Sequence, residues 1–587
     1  MGAWSGAALS LLRPVIPIAP EASTRQRKRA APKGRRVDPE ALAQVQALLG
    51  AESRQRDLLI EHLHKIQDRF GHLSAAHLAA LAQEMRLPQA EVYEVASFYH
   101  HFDIVKEGEA APASLTVRVC DSLSCEIAGA GDLLARLPKL LGPGVRVVPA
   151  PCIGRCEQAP AAVVGQNPIP HASCESVVAA VDAGATRDPG EAFIDYASYR
   201  REGGYALLKA CLAGERDVES VIATLEDSGL RGLGGAGFPT GRKWRIVRAE
   251  PGPRLMAINI DEGEPGTFKD RVLLETDPHR FLEGMLIAAW AVGIERIYVY
   301  LRDEYHGCRE TLAAEIAALK ADPPGSSLPE IFLRRGAGAY ICGEESAMIE
   351  SIEGKRGLPR LRPPYVAQVG LFGRPTLEHN FETLYWVRQL LERGGGWFAS
   401  HGRHDRKGLR SFSVSGRVRL PGVKLAPAGI TIQELIDEYC GGMKEGHRFY
   451  AYLPGGASGG ILPATMNDIP LDFDTLQPYG CFIGSAAVIV LSDQDSAAGA
   501  ARNLMRFFEY ESCGQCTPCR SGTAKASVLL AEPAWNVELL QDLSVVMRDA
   551  SICGLGQAAP NPVDSVIRYF PHELEAQGRA VAAEETP

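Results

Sequence analysis

The chain has 587 residues, a net charge of −9 and an ordinary globular composition, 46% hydrophobic and 23% charged. That length exceeds what one hydrophobic core organises, so three to five domains are expected. The modest acidity argues against nucleic acid as a partner, and 14 cysteines are too sparse for a disulfide scaffold.

Residues 1–37 read as a disordered basic arm, or as a contact strip for an acidic partner subunit. The apolar start has no basic residue before it and is broken by Pro14 and Pro17, so no export signal is expected. A reducing cytoplasm is the expected location, where grouped cysteines suggest metal or redox work. No apolar run approaches the roughly 20 residues that span a bilayer. The best, "CFIGSAAVIVL" from Cys481 to Leu491, is about half that length and reads as a buried strand.

Residues 38–112 are predicted helical. Asp38 suits an N-cap and Pro39 the first helical position, and the two segments that follow are apolar at helical spacing. His62, His64, His72, His77, His100 and His101 fall here. They form no clean metal pair, and solvated or capping roles are expected. Residues 113–185 alternate strand, helix and strand with cysteines at strand ends, a small α/β domain. Residues 200–405 alternate "RLMAINI", "RIYVYL" and "EIFLRR" with helical runs, which argues for a parallel sheet with helices packed on it. Residues 406–485 change to short strands and one helix, and 495–580 return to helices. The expected fold class is therefore multidomain α/β.

Two cysteine sets carry chemistry. Cys120, Cys125, Cys152 and Cys156 form C-x4-C and C-x3-C pairs. Four thiolates suit a [2Fe–2S] cluster or a zinc ion; zinc sites favour shorter C-x2-C knuckles, so the spacing leans toward the cluster. Cys513, Cys516 and Cys519 form C-x2-C-x2-C, which wraps three corners of a [4Fe–4S] cubane. Cys553, in "SICGLGQ", is the expected fourth ligand from a separate helical segment. A zinc site with four cysteines is the alternative.

Between them lies "GLRGLGGAGFPTGRKW". Gly232, Gly234, Gly235 and Gly237 bare the backbone N–H groups to a phosphate or a flat ring, and Lys243 adds positive charge. No strand clearly precedes this loop, so it fits the dinucleotide fingerprint poorly. Further on, Asn259, Asp261, Glu262 and Glu264 stand at the end of an apolar strand, where open α/β sheets bind ligands. "GAGAYICGEESA" adds Gly343, Glu344 and Glu345, and "EHNFETL" adds Asn380.

These motifs, in this order, resemble the flavin- and NADH-binding subunit of respiratory complex I and its soluble relatives. Residues 38–184 resemble the neighbouring subunit of that complex. A fusion of the two is similar to the diaphorase subunit of soluble NAD-reducing [NiFe]-hydrogenase. The resemblance implies a thioredoxin-like [2Fe–2S] domain, a Rossmann-like FMN and NADH domain, a β-grasp domain and a helical bundle holding [4Fe–4S]. It implies that Gly232, Gly234, Lys243, Asn259, Asp261, Gly343, Glu344 and Asn380 hold FMN, and that Phe238, Lys243, Glu264 and Glu345 line the NAD(H) site. The family commonly has two asparagines where this chain has His379 and Asn380. Implied partners are a small iron–sulfur electron-transfer subunit and a NiFe hydrogenase module, or alternatively a formate dehydrogenase module or complex I. A zinc-stabilised assembly scaffold without redox activity is the reading from another class.

Overall fold

The computed structural model describes residues 35–325 and 328–575; most of the basic arm read from the sequence lies outside them. Asp38 caps the helix Pro39–Leu49, its carboxylate accepting from Glu40 N at 2.8 Å. Helices Leu59–Phe70, Ala75–Met85 and Gln89–Phe98 follow, and short strands β1 (Leu73–Ser74) and β2 (Ile104–Val105) pair between them.

Three of the six histidines of this region differ from expectation, while His100 is exposed as expected. His62, His64 and His77 are buried, because their ring nitrogens reach the Ser53 carbonyl at 2.9 Å, the Gly336 carbonyl at 2.8 Å and Gln44 Oε1 at 2.8 Å. A neutral imidazole with one partner tolerates burial, and burial holds all three below the usual histidine range. His64, His101 and Asp303 converge, but Asp303 already pairs with Arg335, a cation that opposes a metal ion there.

The next unit is a sheet in the order β4-β3-β5-β6, from β3 (Leu115–Cys120), β4 (Val145–Ala150), β5 (Ala162–Val164) and β6 (Asn167–Ile169). β3 and β4 run parallel and the others antiparallel. Helices Ala130–Leu141 and Cys174–Asp182 cover it, burying Leu133, Leu137 and Val177 against Val117 and Val119.

The central sheet is parallel throughout, in the order β10-β7-β8-β9, from β7 (Arg254–Ile260), β8 (Ile294–Leu301), β9 (Glu330–Arg335) and β10 (Thr376–Asn380). Helix Pro278–Val292 is buried nearly all round, as a helix inside a large α/β core must be. The chain winds from β7 through β8 to β9, then returns to the other side of β7 as β10. That reversal is a topological switch point, where the strand ends part and leave a crevice.

The region read as β-grasp is a five-stranded mixed sheet, β12-β11-β15-β13-β14, from β11 (Leu409–Gly416), β12 (Gly422–Pro427), β13 (Phe449–Leu453), β14 (Leu462–Pro463) and β15 (Ala487–Ser492). The stretch expected as one buried strand from Cys481 is half loop; only its end joins fully buried β15. Gly484, at φ +52°, turns the chain before the strand begins. Helices Ala497–Tyr510, Thr517–Ala531, Val537–Ala550 and Asn561–Tyr569 close the fold. Among the described residues no helix is long and apolar enough to cross a membrane.

Candidate functional site

At the switch point lies a cleft of about 680 Å3, within the size range of small-molecule sites. β10 and β7 pair so that Asn380 sits opposite Asn259 at their carboxyl ends. Asn259 Nδ2 donates to the Gly343 carbonyl at 2.8 Å, and Asn380 Nδ2 to Asp270 Oδ2 at 2.6 Å. The glycine loop stands opposite. It follows helix Val218–Ser228 and precedes helix Thr240–Ala249, so it is not the strand-loop-helix turn of a dinucleotide fingerprint.

Gly232, Gly234, Gly235, Gly237, Phe238, Lys243, Asn259, Asp261, Glu262, Glu264, Gly343, Glu344, Glu345 and Asn380 all line this one cleft. Their roles differ. A Cβ on Gly234 would lie 3.0 Å from Asn380 Cβ, and one on Gly343 would lie 3.2 Å from the Asp261 carbonyl, so both glycines keep backbone close to the cleft wall. Phe238 is 38% exposed, a bare aromatic face with Arg242 5.8 Å from its centroid.

The carboxylates divide likewise. Glu262 accepts from Asp270 N at 2.8 Å, Arg271 N at 3.1 Å and the Tyr305 hydroxyl at 2.9 Å, so it braces the cleft floor. Burial and the nearby Asp270 charge still push it up to about 7. Glu264 accepts from Ser458 N at 2.8 Å and Oγ at 2.6 Å, and from the Tyr340 hydroxyl; burial raises it. Glu344 caps helix Glu345–Ile352 and pairs with Arg362. Glu345, 2.9 Å from Arg362, is raised by burial and then by Glu378. Asp261 is half-buried, raised well above the carboxylate range by the burial of its carboxyl, and its Oδ2 has no partner. An orphaned acceptor beside a glycine-floored cleft suits a ligand that brings its own hydroxyl or N–H donors, as a flavin ring and ribityl chain do.

Sequence reasoning missed Arg362, Ser458, Ser485, Arg548 and Asn561, which also line the cleft. Ser458 and Ser485 come from the five-stranded sheet region, and Arg548 and Asn561 from the C-terminal helices; no local pattern marks them. His379 is buried, accepts from Trp244 Nε1 at 2.8 Å and is held neutral by burial.

Cys513, Cys516, Cys519 and Cys553 line one small cavity with Ser512, Ile341, Pro359 and Leu555. No carboxylate lines it, and four convergent thiols with apolar walls suit an iron–sulfur cubane. Cys516 and Cys553 each stand just before a helix; burial pushes Cys553 up to about 12, opposed by the backbone N–H groups of Leu555 and Gly556. Ile341 and Leu555 line both this cavity and the cleft. Tyr340 ties them further: its N–H donates to Glu511 at 2.9 Å while its hydroxyl donates to Glu264.

Cys120, Cys125, Cys152 and Cys156 are all buried. Cys120 ends β3, Cys152 follows β4, and the Cys152 and Cys156 sulfurs lie 3.4 Å apart. Four sequestered thiols suit a [2Fe–2S] cluster. Cys152 and Cys156 pack on Phe268, between cleft residues Thr267 and Lys269. Buried Arg302 donates to the Cys152 carbonyl at 2.6 Å and also to the Glu262 carbonyl, latching this unit to the cleft.

The cleft lies between the two thiol sets, and comparison with known proteins gives the class, an NAD(H) oxidoreductase that carries FMN, a [4Fe–4S] cluster and a [2Fe–2S] cluster. Three family models match: the Nuo51 FMN-binding domain over residues 225–389, the NADH-ubiquinone oxidoreductase-F iron-sulfur binding region over 499–577, and the thioredoxin-like [2Fe-2S] ferredoxin over 45–184. The chain is 39% identical to an NADH-quinone oxidoreductase subunit of Rhizobium meliloti (strain 1021), over 65% of this chain and 93% of that protein. It is 41% identical to the mitochondrial NADH dehydrogenase [ubiquinone] flavoprotein 1 of Dictyostelium discoideum, over 60% and 78%. A solved NAD+-reducing [NiFe]-hydrogenase, in the H2-reduced state, superposes with TM-score 0.78 at 33% identity, covering 89% of this chain and 93% of that one. The chain belongs to the family of the 51 kDa flavin- and NADH-binding subunit of complex I and its relatives.

Proposed function

We propose that this chain is the diaphorase subunit of a cytoplasmic NAD+-reducing [NiFe]-hydrogenase complex, passing electrons from H2 to NAD+. One observation carries the hydrogenase assignment. The Rhizobium protein is matched over 93% of its length by 65% of this chain, whereas the hydrogenase chain matches 89% of it. The thioredoxin-like unit fused at the front is thus shared with the hydrogenase chain.

Bound FMN supplies the exchange between two-electron hydride chemistry with NAD(H) and one-electron chemistry with iron–sulfur clusters. The residues position and insulate. Gly232, Gly234, Gly235 and Gly237 offer bare backbone N–H groups to the flavin phosphate and ring, with Lys243 adding charge. Asn259, Asp261, Gly343, Glu344 and Asn380 would orient the flavin, and the unpartnered Asp261 Oδ2 would be free to take one of its donors. Phe238, Glu264 and Glu345 border the dinucleotide, with Phe238 as a stacking face for adenine. No side chain is required as nucleophile or general base. Cys513, Cys516, Cys519 and Cys553 hold the cubane behind Ile341 and Leu555, and Cys120, Cys125, Cys152 and Cys156 hold the smaller cluster. The cubane held there would supply one-electron exchange with a small iron–sulfur partner subunit.

Purifying the native complex and measuring its metals tests the assignment. Nickel co-purifying with NAD+-dependent H2 uptake is expected. Molybdenum with formate-dependent NAD+ reduction would replace the hydrogenase partner while leaving the diaphorase reading intact.

A further inference from the structure

Behind the glycine loop lies a second hollow of about 240 Å3, lined on the loop side by Leu230, Arg231 and Leu233. Its charge contrasts with the acidic cleft. Arg231, Arg406, Lys407 and Arg410 line it against only two carboxylates, Asp405 and Asp472. Asp472 is already divided, accepting from Arg406 Nε at 2.8 Å and from Arg410 Nη2 at 2.6 Å. Arg231 pairs with Asp474 at 2.5 Å.

Arg410 is 4% exposed, and its buried Nε has no hydrogen-bond partner. Burial pushes its guanidinium below the usual range, against the pull of Asp472 and Glu382, with Arg231 adding a smaller push in the same direction. Lys407 makes no ion pair with any carboxylate among the described residues. A buried guanidinium N–H seeks an acceptor, and an arginine fork beside a lysine point charge matches a tetrahedral oxyanion.

We propose that this hollow is a second anion site, taking a phosphate-type dianion, either free or carried as a small phosphate monoester. It lies outside the flavin and dinucleotide reading above and does not depend on it. The site also bears on the cleft. Phe473 lies between Arg231, at 4.5 Å, and Arg410, at 4.3 Å. A Cβ on Gly237 would be 2.6 Å from that ring, so the ring rests directly on the cleft loop. An anion that draws in Arg231 and Arg410 moves the surface on which Gly237 sits.

The test uses the full chain with its flavin and clusters, with NAD+ at saturation so that the cleft is filled. Equilibrium dialysis with radiolabelled inorganic phosphate, or with ribose 5-phosphate, is run at constant ionic strength set by chloride. About one phosphate per chain is expected to stay bound, weakened roughly tenfold in Lys407→Ala and retained in Lys407→Arg. Tighter binding of the monoester identifies an esterified ligand; equal or weaker binding identifies the free ion. Absence of saturable binding, complete displacement by NAD+, or unchanged affinity in Lys407→Ala would overturn the site. Phosphate is also expected to shift the apparent KM for NADH by about twofold in the wild type and not in Lys407→Ala. An unshifted wild-type KM would overturn the coupling to the loop.

Discussion

Gly234 and Asn380 meet at the cleft from widely separated parts of the chain, and their contact is tight enough that a methyl group on Gly234 would require Asn380 to give way. Gly234→Ala is therefore expected to push Asn380 aside and release flavin. Acid-extractable FMN per chain should fall by roughly tenfold, since about 1.4 kcal/mol of lost binding suffices for that factor; unchanged flavin content would show that the wall yields. Glu262 makes a different prediction. Its carboxyl is raised from near 4.5 to about 7 in the fold. The folded state thus keeps a proton that the unfolded chain releases, and stability falls as pH rises from about 4.5 to about 7. In Glu262→Gln that decline is expected to be smaller. Urea midpoints of both proteins across this window check it, and parallel curves would contradict it. At this scale the sequence was legible where chemistry clusters locally, as in the glycine loop, the strand-end acids and the cysteines. It was silent on Arg362, Ser458 and Arg548, which enter the cleft from remote segments. Histidines such as His64 misled because a single carbonyl 272 residues away in sequence is enough to bury an imidazole.

Alternation of apolar strands with helical runs was enough to read the parallel sheet, because strands covered on both faces are apolar throughout. What alternation does not encode is strand order. The return of β10 beside β7 creates the crevice, and nothing local in "TLEHN" announces it. Close packing of elements is likewise hidden. Gly284, in the helix Pro278–Val292, lies against the Leu384 carbonyl so closely that a Cβ would clash with it. Gly284→Ala is expected to force this helix off the one bearing Phe381 and to cost about 2–3 kcal/mol. A fall in the thermal midpoint with loss of flavin checks this; an unchanged midpoint would mean that the helices slide apart freely. The Cys481 stretch shows the converse limit, since its apolar composition masked a loop that carries Gly484 and Ser485 to the cleft.

Across the whole molecule, three units converge on one cleft. Ile341 and Leu555 separate it from the Cys513 set, and Phe268 and Arg302 join it to the Cys152 pair. These shared residues come from packing that no single motif reveals. In Cys516→Ser, NADH is expected still to bleach the bound flavin, while transfer to an iron–sulfur partner is lost; stopped-flow absorbance separates the two steps. Unchanged transfer to the partner would remove the cubane from the route. The most direct measurement is made on the full chain produced with ample iron and flavin, assaying cofactors and then adding NADH anaerobically. The expected result is a brown protein with about one FMN and about six iron atoms per chain, whose visible absorbance bleaches on NADH. A colourless zinc protein with no flavin and no response to NADH would contradict it.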